Sequence, residues 1–301
     1  MKNRKLSLVF LIFAICVLLV TLIFVIQALK YKPGKYTLAI VGYAGSFNRR
    51  AVNADKWPIE PYWVMHILGV AGMCLLSFFR RNNGKDIIKG WQAILTGILL
   101  AIFGYIGAKI LFIIENYKTI KSIGLTFSGV SFFGTVFFMP LAIPAIKRML
   151  FIRMKDLQFM DFCTPAGILM LAFIRIGCFM NGCCRGIVVD VNGKPLMCPV
   201  QLIECSFDFL LLSIILNDKI KKRFENGLYI LFMMGYGLIR FVLEKYRNTS
   251  KFGNLFIEER GGDSRKTVLS NGQIFAVICM TIGIVYIMWH IKQSGKKNKQ
   301  K

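Results

Sequence analysis

The sequence predicts an all-α polytopic membrane protein, a bundle of about eight transmembrane helices with a small extracytoplasmic loop region. Long apolar runs recur along the 301 residues, several approaching the roughly 20 residues that a bilayer-crossing helix needs. Hydrophobic residues make up 55% of the chain and mean hydropathy is +0.57, values that soluble domains rarely combine with such runs. The 39 Lys and Arg against 15 Asp and Glu fall in clusters between the runs. A net charge of +24 is therefore explained by membrane topology, and nucleic acid is not an expected partner.

The N-terminus sets Lys2, Arg4 and Lys5 before an apolar run from Leu6 to Leu29. That run exceeds a signal-peptide core and no small-x-small cleavage site follows, so an uncleaved anchor helix is expected. With a loop carrying Pro33, Gly34 and Pro58 it forms an N-terminal unit, residues 1–60. Seven further helices are expected at about 61–79, 92–114, 130–147, 161–180, 201–216, 228–244 and 272–291, making 61–291 the main membrane domain. Residues 292–301 form a basic cytoplasmic tail suited to anionic lipid heads. Every second gap is basic: the N-terminus, Arg80 to Lys89, Lys147 to Lys155, Lys219 to Arg223, and the tail. The positive-inside rule then puts both termini in the cytoplasm. Pro140 and Pro144 predict a bend or early end in the fourth of the eight helices.

The stretch from Arg175 to Gly186 reads Arg-Ile-Gly-Cys-Phe-Met-Asn-Gly-Cys-Cys-Arg-Gly and closes an apolar run. An arginine at a membrane boundary needs a counter-ion or an anionic ligand. Asn181-Gly182 is a turn-prone pair, and the flanking glycines permit close approach. These features point to a site for a lipid headgroup. Arg240 and Glu244, four apart, share one helix face and can pair, with Tyr236 and Gly237 on the same helix. Pro199 to Glu204 opens another helix, and its Gln201 and Glu204 need polar partners, Arg175 among the candidates. The Gly124–Gly134 stretch has no phosphate-loop lysine and is not a nucleotide site; close helix packing is the alternative.

Nine cysteines are present, five of them between 178 and 205. Their spacing is irregular and both histidines (His66, His290) lie elsewhere, so no metal site and no cofactor is expected. A disulfide joining Cys184 and Cys198 fits an extracytoplasmic location, with connectivity, and the state of Cys183, left open.

In order, Arg-Ile-Gly-x-Phe-x-Asn-Gly (175–182), Pro-x-Gln-Leu-x-Glu (199–204), Gly-Tyr-Gly-x-x-Arg-Phe-x-x-Glu (235–244) and Leu-Ser-x-Gly-Gln (269–273) resemble the prolipoprotein diacylglyceryl transferase family. With Tyr62, Gly107-Ala108-Lys109 and Asp161, the resemblance covers residues 61–291. It implies transfer of the diacylglyceryl group of phosphatidylglycerol to the lipobox cysteine of a prolipoprotein, with release of glycerol phosphate, in a bacterial plasma membrane. It also implies catalytic roles for Arg175, Arg240 and Glu244. Substrate contacts are implied for Tyr62, Asn181, Gly182, Gly186, Gln201, Glu204 and Tyr236. The family's His-Gly-Gly reads Phe133-Gly134-Thr135 here, so that base is missing. Its signature asparagine and glutamate positions hold Cys178 and Cys183. A related transferase with another acceptor, or a non-catalytic lipid-binding paralogue, are the alternative readings.

Overall fold

A computed structural model describes residues 2–30, 61–81, 88–117, 120–121, 129–181, 183–184, 186–191, 194–247 and 270–299. The long helices are α1 (Lys2–Lys30), α2 (Pro61–Arg80), α3 (Gly90–Glu115), α4 (Phe132–Met149), α5 (Asp156–Asn181), α6 (Val200–Leu216), α8 (Leu228–Glu244) and α9 (Asn271–Lys299). A short helix, α7 (Asp218–Arg223), follows α6. Among the described residues, six helices, α1 to α5 and α9, are long and apolar enough to cross a membrane. The protein is a multi-pass membrane protein. Its outer face carries exposed Ile12, Leu19, Trp63, Ile102, Leu141 and Met288, a surface that only lipid would cover without penalty.

α2 lies along α5, α3 along α4, α8 along α9, and α5 along α6. The N-terminal helix α1 packs on α6. Ser7 Oγ donates to the Ser213 carbonyl at 2.8 Å and Ser213 Oγ to the Ser7 carbonyl at 2.9 Å, while Phe10 stacks on Phe209. In lipid such reciprocal hydroxyl bonds act as interhelical glue, because neither carbonyl has water to turn to.

Contacts between helix ends fall into two sets. Ser7 with Ser213, Arg80 with the Phe162 carbonyl, Gln92 with the Leu150 carbonyl, and Asp161 with the Leu228 N–H form one. In the last, a carboxylate accepts from the first turn of α8, where the helix dipole favours an anion. At the opposite end of the bundle, the Ser131 N–H donates to Ala108, Arg175 meets Glu204, and Ser270 meets Glu244.

Four features add to the sequence expectation or decide what it left open. The helix α4 neither ends nor breaks at its prolines, which lie inside it. Pro140 has no N–H to offer the Val136 carbonyl, and the Tyr229 hydroxyl donates to that carbonyl instead, so tertiary packing supplies what the proline removes. Tyr229→Phe should therefore destabilise the bundle by about 1–3 kcal/mol, the cost of a buried unpaired carbonyl, measurable by denaturant titration in mixed micelles. Second, the helix α9 runs on through residues 292–299. Third, the fold is not purely helical: β1 (Val188–Val191) and β2 (Lys194–Met197) form an antiparallel pair in which Val188 faces Met197. Asn192-Gly193 separates them in sequence, a pair with strong hairpin preference. Fourth, all nine cysteines are free thiols, so Cys184 and Cys198 are not joined. The expected loop at 31–60 and the Gly124–Ser128 part of the glycine-rich stretch lie outside the described residues. The remainder of that stretch serves packing: a Cβ on Gly134 would come within 2.2 Å of the Gly107 carbonyl oxygen.

Candidate active site

Arg175 sits two turns from the end of α5, where the apolar run gives way to the Asn181 turn. Glu204 lies in the second turn of α6 and is 1% exposed. A carboxylate so buried requires a cation, and Arg175 Nη2 provides one at 2.8 Å. The second guanidinium arrives from α8: Arg240 Nη1 lies 3.4 Å from Glu204 Oε2. One turn on, Glu244 takes Arg240 Nη2 at 2.7 Å, the pairing that the four-residue spacing predicts. Arg247 adds a longer contact to Glu244, 3.6 Å.

Two arginines 65 positions apart in sequence thus converge on one buried carboxylate. Among the described residues, three guanidiniums face two carboxylates in this chain of ion pairs, one positive charge in surplus within the chain itself, with Asp208 and Glu115 within electrostatic reach of Arg240 but paired to none of the three arginines. A phosphodiester carries one negative charge. The Nε atoms of Arg175 and Arg240 are buried and have no hydrogen-bond partner among the described residues, so both arginines hold donor capacity in reserve for an anion.

Tyr236, fully buried, receives a hydrogen bond on its hydroxyl from Arg175 Nη2 at 3.2 Å. Phe133 stands where a titratable group would be useful: its ring centroid is 5.5 Å from that of Tyr236 and 6.0 Å from Arg240 Cζ. Phe132 and Phe275 complete an aromatic wall. Such a wall excludes water and strengthens the ion pairs it borders.

The other residues expected at the site divide. Tyr62 lies against the last turns of α5, because Gly177 allows its backbone to approach closely; it is within electrostatic reach of Arg175. Gln201 is buried and donates Nε2–H to the Cys183 carbonyl at 2.7 Å, tying the segment after α5 to the start of α6. Asn181 is exposed at the end of α5. Gly182 lies outside the described residues. Gly186 packs against backbone rather than facing Arg175 or Arg240: a Cβ there would fall 2.1 Å from the Cys198 carbonyl oxygen, and its backbone bridges to that of Arg247. With Ile187 N–H bonded to the Tyr246 carbonyl and Cys198 N–H to Ile187, the base of the hairpin is fastened to the end of α8.

Several contributors were given no role by sequence reasoning. Ser270 and Gln273 form a reciprocal cap at the start of α9: Ser270 N–H donates to Gln273 Oε1, and Gln273 N–H donates to Ser270 Oγ. The Ser-x-x-Gln spacing is the capping-box signal, and the Ser270 hydroxyl also reaches Glu244. Asp208 sits one turn deeper than Glu204, fully buried, with neither carboxyl oxygen hydrogen-bonded among the described residues. Finally, Cys178, Cys183 and Cys184 bring their three sulfurs within 4.8 Å of one another, a grouping that their irregular spacing conceals.

The chain is also similar in sequence to known proteins. The family profile described as prolipoprotein diacylglyceryl transferase matches residues 49–289. A phosphatidylglycerol–prolipoprotein diacylglyceryl transferase of Clostridium tetani is 27% identical over 246 residues, covering 75% of this chain and 91% of that protein. The protein of the same name from Pseudoalteromonas translucida is 29% identical over 259 residues, 80% of this chain and 91% of its own length. A shorter match, to the Vibrio cholerae protein of that name, reaches 36% over 142 residues, 44% of this chain and 49% of that one. With its helices, its converging arginines and four fifths of its length matched, this chain belongs to the prolipoprotein diacylglyceryl transferase family.

Proposed function

We propose that this protein transfers the diacylglyceryl group of phosphatidylglycerol to the lipobox cysteine thiol of a prolipoprotein, releasing glycerol phosphate. The observation that carries this reading is the convergence of Arg175 and Arg240 on Glu204, in a cluster whose surplus positive charge equals that of one phosphodiester. The names of the relatives from Clostridium tetani and Pseudoalteromonas translucida support it.

In this mechanism the phosphate enters between the two guanidiniums. The Arg240–Glu204 contact is the longer of the two, so Arg240 is the arm that turns to the lipid. Glu244 keeps its other nitrogen fixed. As the glyceryl carbon–oxygen bond breaks, charge builds on the departing glycerol phosphate, and two oriented guanidiniums stabilise it. Tyr236 and Glu204 hold Arg175 in position. Tyr62 and Asn181 hydrogen-bond the headgroup from the rim, Gly182 is a further substrate contact by its place in the Asn-Gly motif alone, and Gln201 and Gly186 shape the rim through the backbone contacts already described. The separation of helix ends into two sets, together with alternating basic gaps, supports eight spans with both termini in the cytoplasm. The site then opens to the outer leaflet of a bacterial plasma membrane.

The test uses the full chain in nanodiscs with phosphatidylglycerol labelled in its headgroup glycerol and a lipobox peptide. Equal amounts of labelled glycerol phosphate and diacylglyceryl peptide are expected. Release of glycerol phosphate with the peptide untouched points to another acceptor. If neither product forms, the chain is not a transferase.

A further inference from the structure

The acceptor thiol must be deprotonated before it can attack carbon. Among the described residues, however, the side chains in direct contact with the two arginines are already engaged or apolar. Glu204 and Glu244 are engaged by guanidiniums, the Tyr236 hydroxyl faces Arg175, and Phe133 is apolar. Asp208 lies on the far side of Glu204, one turn deeper along α6, away from the loop that Gln201 holds.

What does stand beside Arg175, one helical turn outward, is the three-thiol cluster. Cys178 is buried in the last turn of α5. The chain folds back on it through the Cys183 N–H, which donates to the Cys178 carbonyl at 3.1 Å. Cys184 adopts φ +56°, a left-handed conformation that costs a non-glycine residue about 1–2 kcal/mol. That turn brings the third sulfur alongside the other two instead of continuing the chain outward. Gln201 locks the arrangement through the Cys183 carbonyl. All three sulfurs lie within 4.8 Å of one another; with zinc–sulfur bonds of about 2.3 Å, a tetrahedral ion needs them about 3.8 Å apart, an adjustment within side-chain rotation.

We propose that Cys178, Cys183 and Cys184 bind a zinc ion whose fourth coordination position takes and activates the acceptor thiol. The part concerning the acceptor rests on the transferase reading above. Three protein ligands with one open position is the arrangement of catalytic rather than structural zinc, and a thiol coordinated to zinc loses its proton outright. Three thiolates and a dication make a complex of charge −1, and Arg175, three residues before Cys178, is placed to stabilise it. The step balances without an oxidant. The acceptor thiol displaces water from the fourth position and its proton passes to solvent. Its sulfur attacks the glyceryl carbon bonded to the phosphate oxygen, a sulfur–carbon bond forms and the carbon–oxygen bond breaks. The electron pair leaves with glycerol phosphate, held by Arg175 and Arg240. The neutral thioether is a poor zinc ligand and departs.

The experiment measures metal and thiol binding apart from turnover. Full-length protein grown with zinc and purified under a non-thiol reductant should carry close to one zinc per chain by atomic emission. Cys178→Ser and Cys183→Ser should each lower the zinc content at least ~tenfold, because two thiolates do not make a tight site. Cys16→Ser, on the lipid face of α1, should not lower it. Cobalt exchanged for zinc should give a thiolate-to-cobalt charge-transfer band, which a lipobox peptide shifts and its Cys→Ser counterpart does not. Metal-free wild type, a disulfide among the three cysteines in protein isolated without reductant, or a cobalt spectrum unmoved by the thiol peptide would each overturn the proposal. Full transferase activity in zinc-free protein sinks the zinc and leaves the transferase standing. A zinc-loaded, thiol-responsive protein that leaves phosphatidylglycerol intact upholds the site and sinks the transferase reading instead.

Discussion

Arg240→Ala is expected to reduce glycerol phosphate release by about 10²–10³-fold, the loss typical when one donor to a developing charge is removed, while the bundle stays folded. Folding survives because neither carboxylate is stranded: Glu204 keeps Arg175 at 2.8 Å and Glu244 keeps Arg247. Function does not survive, because two guanidiniums would then face two carboxylates, and the surplus charge that attracts a phosphodiester is gone. Arg240→Lys separates geometry from charge. Arg240 uses Nη1 toward Glu204 and Nη2 toward Glu244, and a single ammonium cannot hold both directions in a fixed plane. Lysine should therefore recover part of phosphatidylglycerol binding and little of the turnover. Headgroup release in nanodiscs, set beside lipid affinity, gives both quantities. A lysine variant with near-normal turnover would mean that Arg240 supplies charge alone.

The helices were legible because bilayer-length apolar runs leave little freedom, and helix boundaries follow the charge clusters. The ion-pair cluster was half legible. The four-residue spacing of Arg240 and Glu244 is a local signal, and Glu204 at the start of an apolar helix calls for a cation without naming which. That both arginines share it depends on how α5, α6 and α8 pack, and no local pattern encodes that. The thiol cluster was hidden for a different reason: Cys178, Cys183 and Cys184 meet only because Cys184 turns left-handed and Gln201 pins the loop. Spacing rules for metal ligands assume ordinary turns. The prolines of α4 do not end the helix, and for Pro140 the carbonyl left without its N–H is met by the Tyr229 hydroxyl of another helix, a contact that no local pattern encodes. The hairpin at 188–197 did carry a local signal in Asn192-Gly193, overshadowed by the membrane segments around it.

Glu204→Gln tests whether the carboxylate holds the place of the substrate phosphate. Glu204 lies between Arg175 and Arg240 and is nearly inaccessible. Removing its charge leaves Arg175 without its carboxylate and raises the surplus of the cluster from one positive charge to two. Breaking a buried pair from one side costs about 3–5 kcal/mol, so the variant should unfold much more readily in neutral detergent. An anion that binds only the folded state returns stability in proportion to its affinity. Phosphatidylglycerol should therefore raise the midpoint of the variant more than that of the wild type, and phosphatidylcholine should not. Turnover should fall even as lipid binding tightens, because a phosphate gripped equally in ground and transition states gains no rate, and Arg175 has lost the partner that aims it. Tight binding with slow release of glycerol phosphate is thus the expected signature. Weaker phosphatidylglycerol binding in the variant would mean that Glu204 does not compete with the phosphate and that the lipid binds elsewhere in the bundle.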